Sequence, residues 1–171
     1  FHRHAVHVRH VEAHRAADAE LQLRDAARDP LPGDVPGVPA AANAVSAKIR
    51  CFPVEPDTAD DTRQSLVKGE RVSIPPPSTI ADGLRVQTPG SLTFPILQKL
   101  AEDVLTVSDE EIIASIKFML FRMKILVEPS GAAAAAAVMF KKLPADVKRV
   151  GVILSGGNID DSVLSQVIDG S

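Results

Sequence analysis

Arg149-Val150-Gly151-Val152-Ile153-Leu154-Ser155-Gly156-Gly157-Asn158 is the stretch that decides the architecture. Its first six residues are rich in β-branched side chains and apolar on both faces, the composition of a parallel strand buried on either side. The chain passes from them straight into a glycine turn and then into a short closing helix, expected over 162–168. In a sheet of this kind, ligands bind at the carboxyl ends of the strands. Ser155, Gly156, Gly157 and Asn158 therefore become the first candidate site. Glycines there let the backbone approach a ligand closely, and Ser155 offers a short donor or acceptor. On spacing alone a plain strand-to-helix turn is the simpler reading.

Working back toward the N-terminus, strand and helix patterns alternate. Ser108 followed three residues later by Glu111 is a capping box. Behind it Ile112, Ile113, Ile116, Met119, Leu120 and Met123 follow the 3.6 period and mark one buried face. The apolar run 125–127 ends at Glu128-Pro129, and a second helix is expected from Pro129 through the alanines to about 143, since proline suits a first helical turn. Its small side chains suit close packing against a sheet. Further upstream, 104–107 reads as a strand and 93–101 as a helix. Pro75, Pro76 and Pro77 enforce an extended loop. The segment 59–67 reads as a helix closed by Gly69, and 47–54 as a strand stopped by Glu55-Pro56. Alternation of this kind predicts an α/β architecture with a parallel sheet.

Two more features bear on function. Glu55, Asp57, Asp60 and Asp61 crowd a strand end, where carboxylates suit a hard cation such as Mg²⁺ or Ca²⁺. Acidic residues at a solvated helix start, favoured by the dipole, account for the same pattern. Residues 1–43 differ in character and are expected to be a disordered or unrelated lead. All five histidines lie there, with His7, His10 and His14 on one helical face, and Pro30 to Pro39 reads as a turn or linker. No Cys or nearby carboxylate pattern completes a metal set around those histidines.

The 171 residues are enough for one compact domain, with 45% hydrophobic and 24% charged residues. A net charge of -3 without a basic, aromatic-interleaved stripe argues against nucleic acid as a partner. The alanine run is too short to span a bilayer. There is no secretory pattern, and the lone Cys51 excludes an internal disulfide, so the expected address is the cytoplasm.

Four stretches, in order, carry a resemblance: Val54-Glu55-Pro56 with Ala59-Asp60-Asp61, Thr79-Ile80-Ala81-Asp82-Gly83-Leu84, Val127-Glu128-Pro129-Ser130-Gly131-Ala132, and Leu154 to Asn158. From about Ala44 onward the chain resembles the serine/threonine dehydratases and serine racemases. These are fold type II enzymes dependent on pyridoxal 5'-phosphate (PLP), of the tryptophan synthase β-like kind. The resemblance implies an incomplete copy of that parallel-sheet fold, the parent being a homodimer acting on a small amino acid. It implies dehydration of L-threonine or L-serine to a 2-oxo acid and ammonia, with serine racemization or 3-hydroxyaspartate dehydration as alternatives. A non-catalytic fragment is the remaining one. Ser155 matches the serine that bonds the pyridine nitrogen, Gly156, Gly157 and Asn158 the wall beside the ring, and Glu128 a pocket glutamate. Glu55, the Ala59 carbonyl and Asp61 match the divalent-cation site. The family's Schiff-base lysine, phosphate loop and substrate-carboxylate loop are not matched, so this polypeptide alone is expected to be inactive. Pro53 and Phe121 depart from the family pattern. Lys124, at a helix end, is no substitute for the missing lysine.

Overall fold

The structure, a computed structural model, describes residues 37–169. The histidines and most of the lead segment lie outside the described residues. At its start the Pro/Gly cluster does not remain a linker. Gly37–Val45 forms helix α1, with Pro39 buried in its first turns, where a missing N–H goes unused.

Strand β1, Val54–Pro56, pairs in parallel with β2, Leu105–Val107, in the register Val54 with Leu105 and Pro56 with Val107. The strand expected over 47–54 is thereby displaced. Its forward part makes one bridge, Cys51 to Ala101, and Pro53, lacking a donor, interrupts the ladder between bridge and strand. The Pro53 carbonyl still accepts from the Leu105 amide at 2.9 Å, so the track is continuous.

Helix α2, Asp61–Lys68, ends as expected at Gly69, whose φ of 79° is left-handed and whose amide bonds the Ser65 and Leu66 carbonyls. A 3₁₀ turn at Asp82–Leu84 and helix α3, Phe94–Leu100, lead to β2. Helix α4, Asp109–Phe118, opens with the full capping box. The Ser108 hydroxyl accepts from the Glu111 amide, and the Glu111 carboxylate accepts from the Ser108 amide. Ile112, Ile116 and Met119 are buried, as the periodicity requires. Met123, expected on the same face, is 50% exposed. The cause is a π turn at Met119–Met123, closed by Lys124 at a φ of 62°. The extra residue in that turn rotates the residues after it by roughly 100°, off the buried face.

Helix α5, Pro129–Met139, packs its small face, Ala132, Ala133, Ala136 and Ala137, against α4 and against β1 and β2. It stops short of the expected 143 because Lys141 turns left-handed at a φ of 57° and the Lys142 amide bonds back to the Ala137 carbonyl. Helix α6, Asp161–Asp169, buries Val167 in the same core, which also holds Ala81, Leu105, Val107, Ile112, Ile116 and Met119.

The glycine-turn stretch at 149–158 departs most from expectation. Residues 149–154 form no ladder with any described strand, and Val150 and Ile153 are exposed, not buried. Strand composition cannot make a strand without a neighbour to complete its hydrogen bonds. The two-stranded sheet offers none at that position.

Candidate cofactor wall and carboxylate pair

Three separated segments meet at the start of α5. Glu128 is its N-cap, with extended backbone (φ −70°, ψ 160°). Its side chain does not cap its own helix and instead accepts the Asn158 amide at 3.1 Å. Gly156 sits beside it in the left-handed region at a φ of 72°, and a Cβ there would fall inside the Glu128 carboxylate. Gly131, one turn into α5, lies against the Ser155 carbonyl so closely that a Cβ would overlap it. Only glycine allows either approach. The effect is to fasten the Ser155–Asn158 turn to the helix start, with Ser155 exposed at its edge. The predicted residues Glu128, Ser155, Gly156 and Asn158 thus come together. Gly157 is looser, with the Leu126 carbonyl 3.8 Å from where a Cβ would stand.

The third segment is the loop 79–85. Asp109, first residue of α4, accepts the Thr79 hydroxyl on one carboxylate oxygen at 2.5 Å and the Ile80 amide on the other at 3.0 Å. The Arg85 side chain donates to the Thr79 carbonyl. At the loop's far end the Gly83 amide donates to the Ser130 hydroxyl at 3.0 Å. Asp109, Ser130 and Gly131 escaped the sequence reading. Ser130 and Gly131 stood inside a quoted motif, whereas nothing local to Asp109 announces a partner thirty residues back.

Around the end of β1, the carboxylates separate into roles. Glu55 accepts the Thr62 and Arg63 amides at 3.2 and 3.1 Å, so it caps α2 from the strand end. Burial pushes its carboxyl above the ordinary range, against the pull of those amides. Asp61 is 2% exposed, and its Oδ2 is buried with no hydrogen-bond partner. Burial first, then the nearby Glu55 charge, push its carboxyl up to about 7. Ala59 is buried between them in sequence, its amide held by the Pro56 carbonyl. Asp57 is exposed, and Asp60 accepts the Gln64 side-chain amide at 2.7 Å. No cluster of three or more His, Cys, Asp or Glu side chains placed to hold a metal occurs among the described residues. Glu55, Asp61 and the Ala59 carbonyl fit a hard cation in donor type, since an orphaned buried carboxylate oxygen is what such an ion would satisfy.

Residues 33–156 match the family described as pyridoxal-phosphate dependent enzyme. The chain belongs to that family. Among relatives of these PLP-dependent enzymes, a serine racemase of Schizosaccharomyces pombe is 44% identical over 75% of this chain and 40% of the relative. An L-threo-3-hydroxyaspartate ammonia-lyase of Saccharomyces cerevisiae is 40% identical over 88% of this chain and 47% of the relative. A threonine deaminase of T.th. superposes with a TM-score of 0.69 at 38% identity, covering 73% of this chain and 45% of that one. Maize serine racemase does so with a TM-score of 0.73 at 32% identity, covering 98% of this chain and 56% of that one. The chain therefore spans about half the length of the relatives it matches, and its architecture is that of fold type II PLP enzymes in part. Among the described residues no helix is long and apolar enough to cross a membrane.

Proposed function

We propose that this chain forms one wall of a PLP-dependent ammonia-lyase that dehydrates L-threonine or L-serine to a 2-oxo acid and ammonia. The observation that carries the reading is the junction of Glu128, Gly156 and Asn158, which brings two motifs of the family to one place. PLP, when bound, supplies an electron sink for removal of the α-proton and loss of the β-hydroxyl. Ser155 would hold the pyridine nitrogen through a neutral hydroxyl, which leaves that nitrogen unprotonated and favours elimination. Glu128 keeps the Asn158 amide engaged, and Gly156 lets the backbone pass close beside it. Glu55, Asp61 and the Ala59 carbonyl would hold Mg²⁺ or Ca²⁺ as a buttress between β1 and α2, away from the chemistry. A cytoplasmic homodimer is the expected setting.

Serine racemization is the second reading, favoured by the racemases among the relatives at 40 to 44% identity. Dehydration of 3-hydroxyaspartate belongs with it on the same ground. One assay on the complete gene product separates them. L-threonine, L-serine and L-threo-3-hydroxyaspartate are each supplied with PLP, and 2-oxo acid, ammonia and D-serine are measured. Oxo acid from threonine or serine is the expected result, with the 171-residue polypeptide alone giving none. D-serine as the main product would replace the lyase reading with the racemase one. No product from any substrate would refute both.

A further inference from the structure

The candidate cofactor wall leaves the tethered loop 79–85 without a task. Thr79 is buried at 3% exposure, and its hydroxyl both donates to Asp109 and accepts the Ala81 amide at 3.1 Å. Ala81 is fully buried in the core, while Asp82 and Gly83, the next two residues, are exposed. The chain thus goes from core to surface within three residues. It is pinned behind by Asp109 and in front by Ser130, the residue between Pro129 and Gly131 at the α5 start. A Cβ at Gly83 would stand 2.9 Å from the Ser130 hydroxyl oxygen, so glycine is what lets the loop tip seat there.

We propose that Asp109 is a positioning residue of the candidate site. Through Thr79 and Ile80 it fixes the 79–85 loop so that Gly83, whose amide is shared with the Asp82 carboxylate at 2.8 Å, engages Ser130 at the α5 start, where Glu128 and Gly131 meet the 155–158 turn. The two carboxylate oxygens divide the work, one taking a side chain and the other a backbone amide, which locks both position and rotation of the loop base. An interaction with an ionised acceptor is among the stronger kinds of hydrogen bond. Being at the first position of α4, Asp109 is itself held by a helix whose capping box fixes its start. The role assigned to the loop rests on the cofactor reading above, whereas the latch itself rests on geometry alone.

Amide hydrogen exchange on Thr79→Val, Thr79→Ser and Asp109→Ala tests it. Thr79→Val and Asp109→Ala should speed exchange over 79–85 and 128–131 roughly 10-fold or more, leaving β1 and α6 unchanged, and Thr79→Ser should restore the wild-type pattern. Acceleration spread evenly over the molecule, or none, would overturn the latch. Because Asp109→Ala also removes a favourable charge at a helix start, the Val/Ser pair at position 79 is the deciding comparison. In the complete gene product Thr79→Val should lower kcat/KM roughly 10-fold, with Thr79→Ser recovering it. An inactive gene product with the local exchange pattern intact would end the cofactor reading and keep the latch. Normal activity in Thr79→Val with unaltered exchange would do the opposite.

Discussion

Replacing Gly131 by alanine sets two physical expectations against each other with opposite sign. Gly131 lies in α5 directly before a run of six alanines, and it is buried. In an ordinary helix the change to alanine would add about 1 kcal/mol of stability. Here the new methyl would occupy the space of the Ser155 carbonyl and would also meet the Val127 side chain at 3.0 Å. A backbone carbonyl cannot swing aside as a long side chain can, so either α5 or the 155–158 turn must shift. Overpacking of this sort costs about 1–3 kcal/mol, with backbone collisions at the upper end, and it also separates Asn158 from Glu128. A charge-assisted bond adds about 1.5–3 kcal/mol if it is lost. The net expectation is destabilisation by about 2 kcal/mol or more, which lowers the melting midpoint by roughly 4–8 °C in a domain of this size. Thermal and urea melts on Gly131→Ala read it directly. Gly151→Ala is the control, since a Cβ there meets nothing within 4 Å and φ is not left-handed. A midpoint for Gly131→Ala at or above wild type would refute the claim that the turn and helix are fastened by backbone contact.

Asp61, raised from 3.8 to about 7, takes up a proton on folding across that window. The penalty for ionising it is absent below about pH 4 and complete above about pH 7, so stability without divalent cation should fall as pH rises between them. Melts in a chelator would show this, Asp61→Asn should remove most of it and leave the smaller share of the buried Glu55 carboxyl, and added Mg²⁺ should restore stability at the alkaline end only. A flat profile in the wild type would argue against the buried, unpartnered carboxylate. Ser108→Ala should cost about 1 kcal/mol in urea melts by unmaking one side of the capping box, with Ser108→Thr close to neutral. Gly69→Ala meets open space but must adopt a φ of 79°, so strain alone should cost about 1 kcal/mol; a Gly69→Asn variant should lose less.

Helices were legible wherever their signals were local. Ser108 with Glu111 marked the start of α4, Pro129 that of α5 and Gly69 the end of α2, and each stands where its chemistry placed it. Phase was lost at the π turn because no residue between Met119 and Met123 declares an extra residue in the turn. Strands were less legible, since a strand is completed by a neighbour. The run 149–154 has the composition of one and lacks a partner among the described residues, whereas the shorter Val54–Pro56 finds β2. The candidate site was readable as motifs but not as geometry. Glu128 and Ser155 were named singly, yet the glycine contacts and the Asn158 amide that join them span roughly thirty residues. The Asp109 latch was invisible for the same reason.

Residues 149–154 have one more consequence, for handling the protein in solution. Val150, Val152 and Ile153 are exposed on an irregular segment of strand-like composition that enters no ladder among the described residues. Unpaired backbone of this composition can pair with another extended chain, including another copy of itself. Lys148 and Arg149 stand directly before it as like-charged gatekeepers, and their repulsion fades as salt screens it. Self-association should therefore grow with both protein concentration and ionic strength, the reverse of what a surface held together by ion pairs would do.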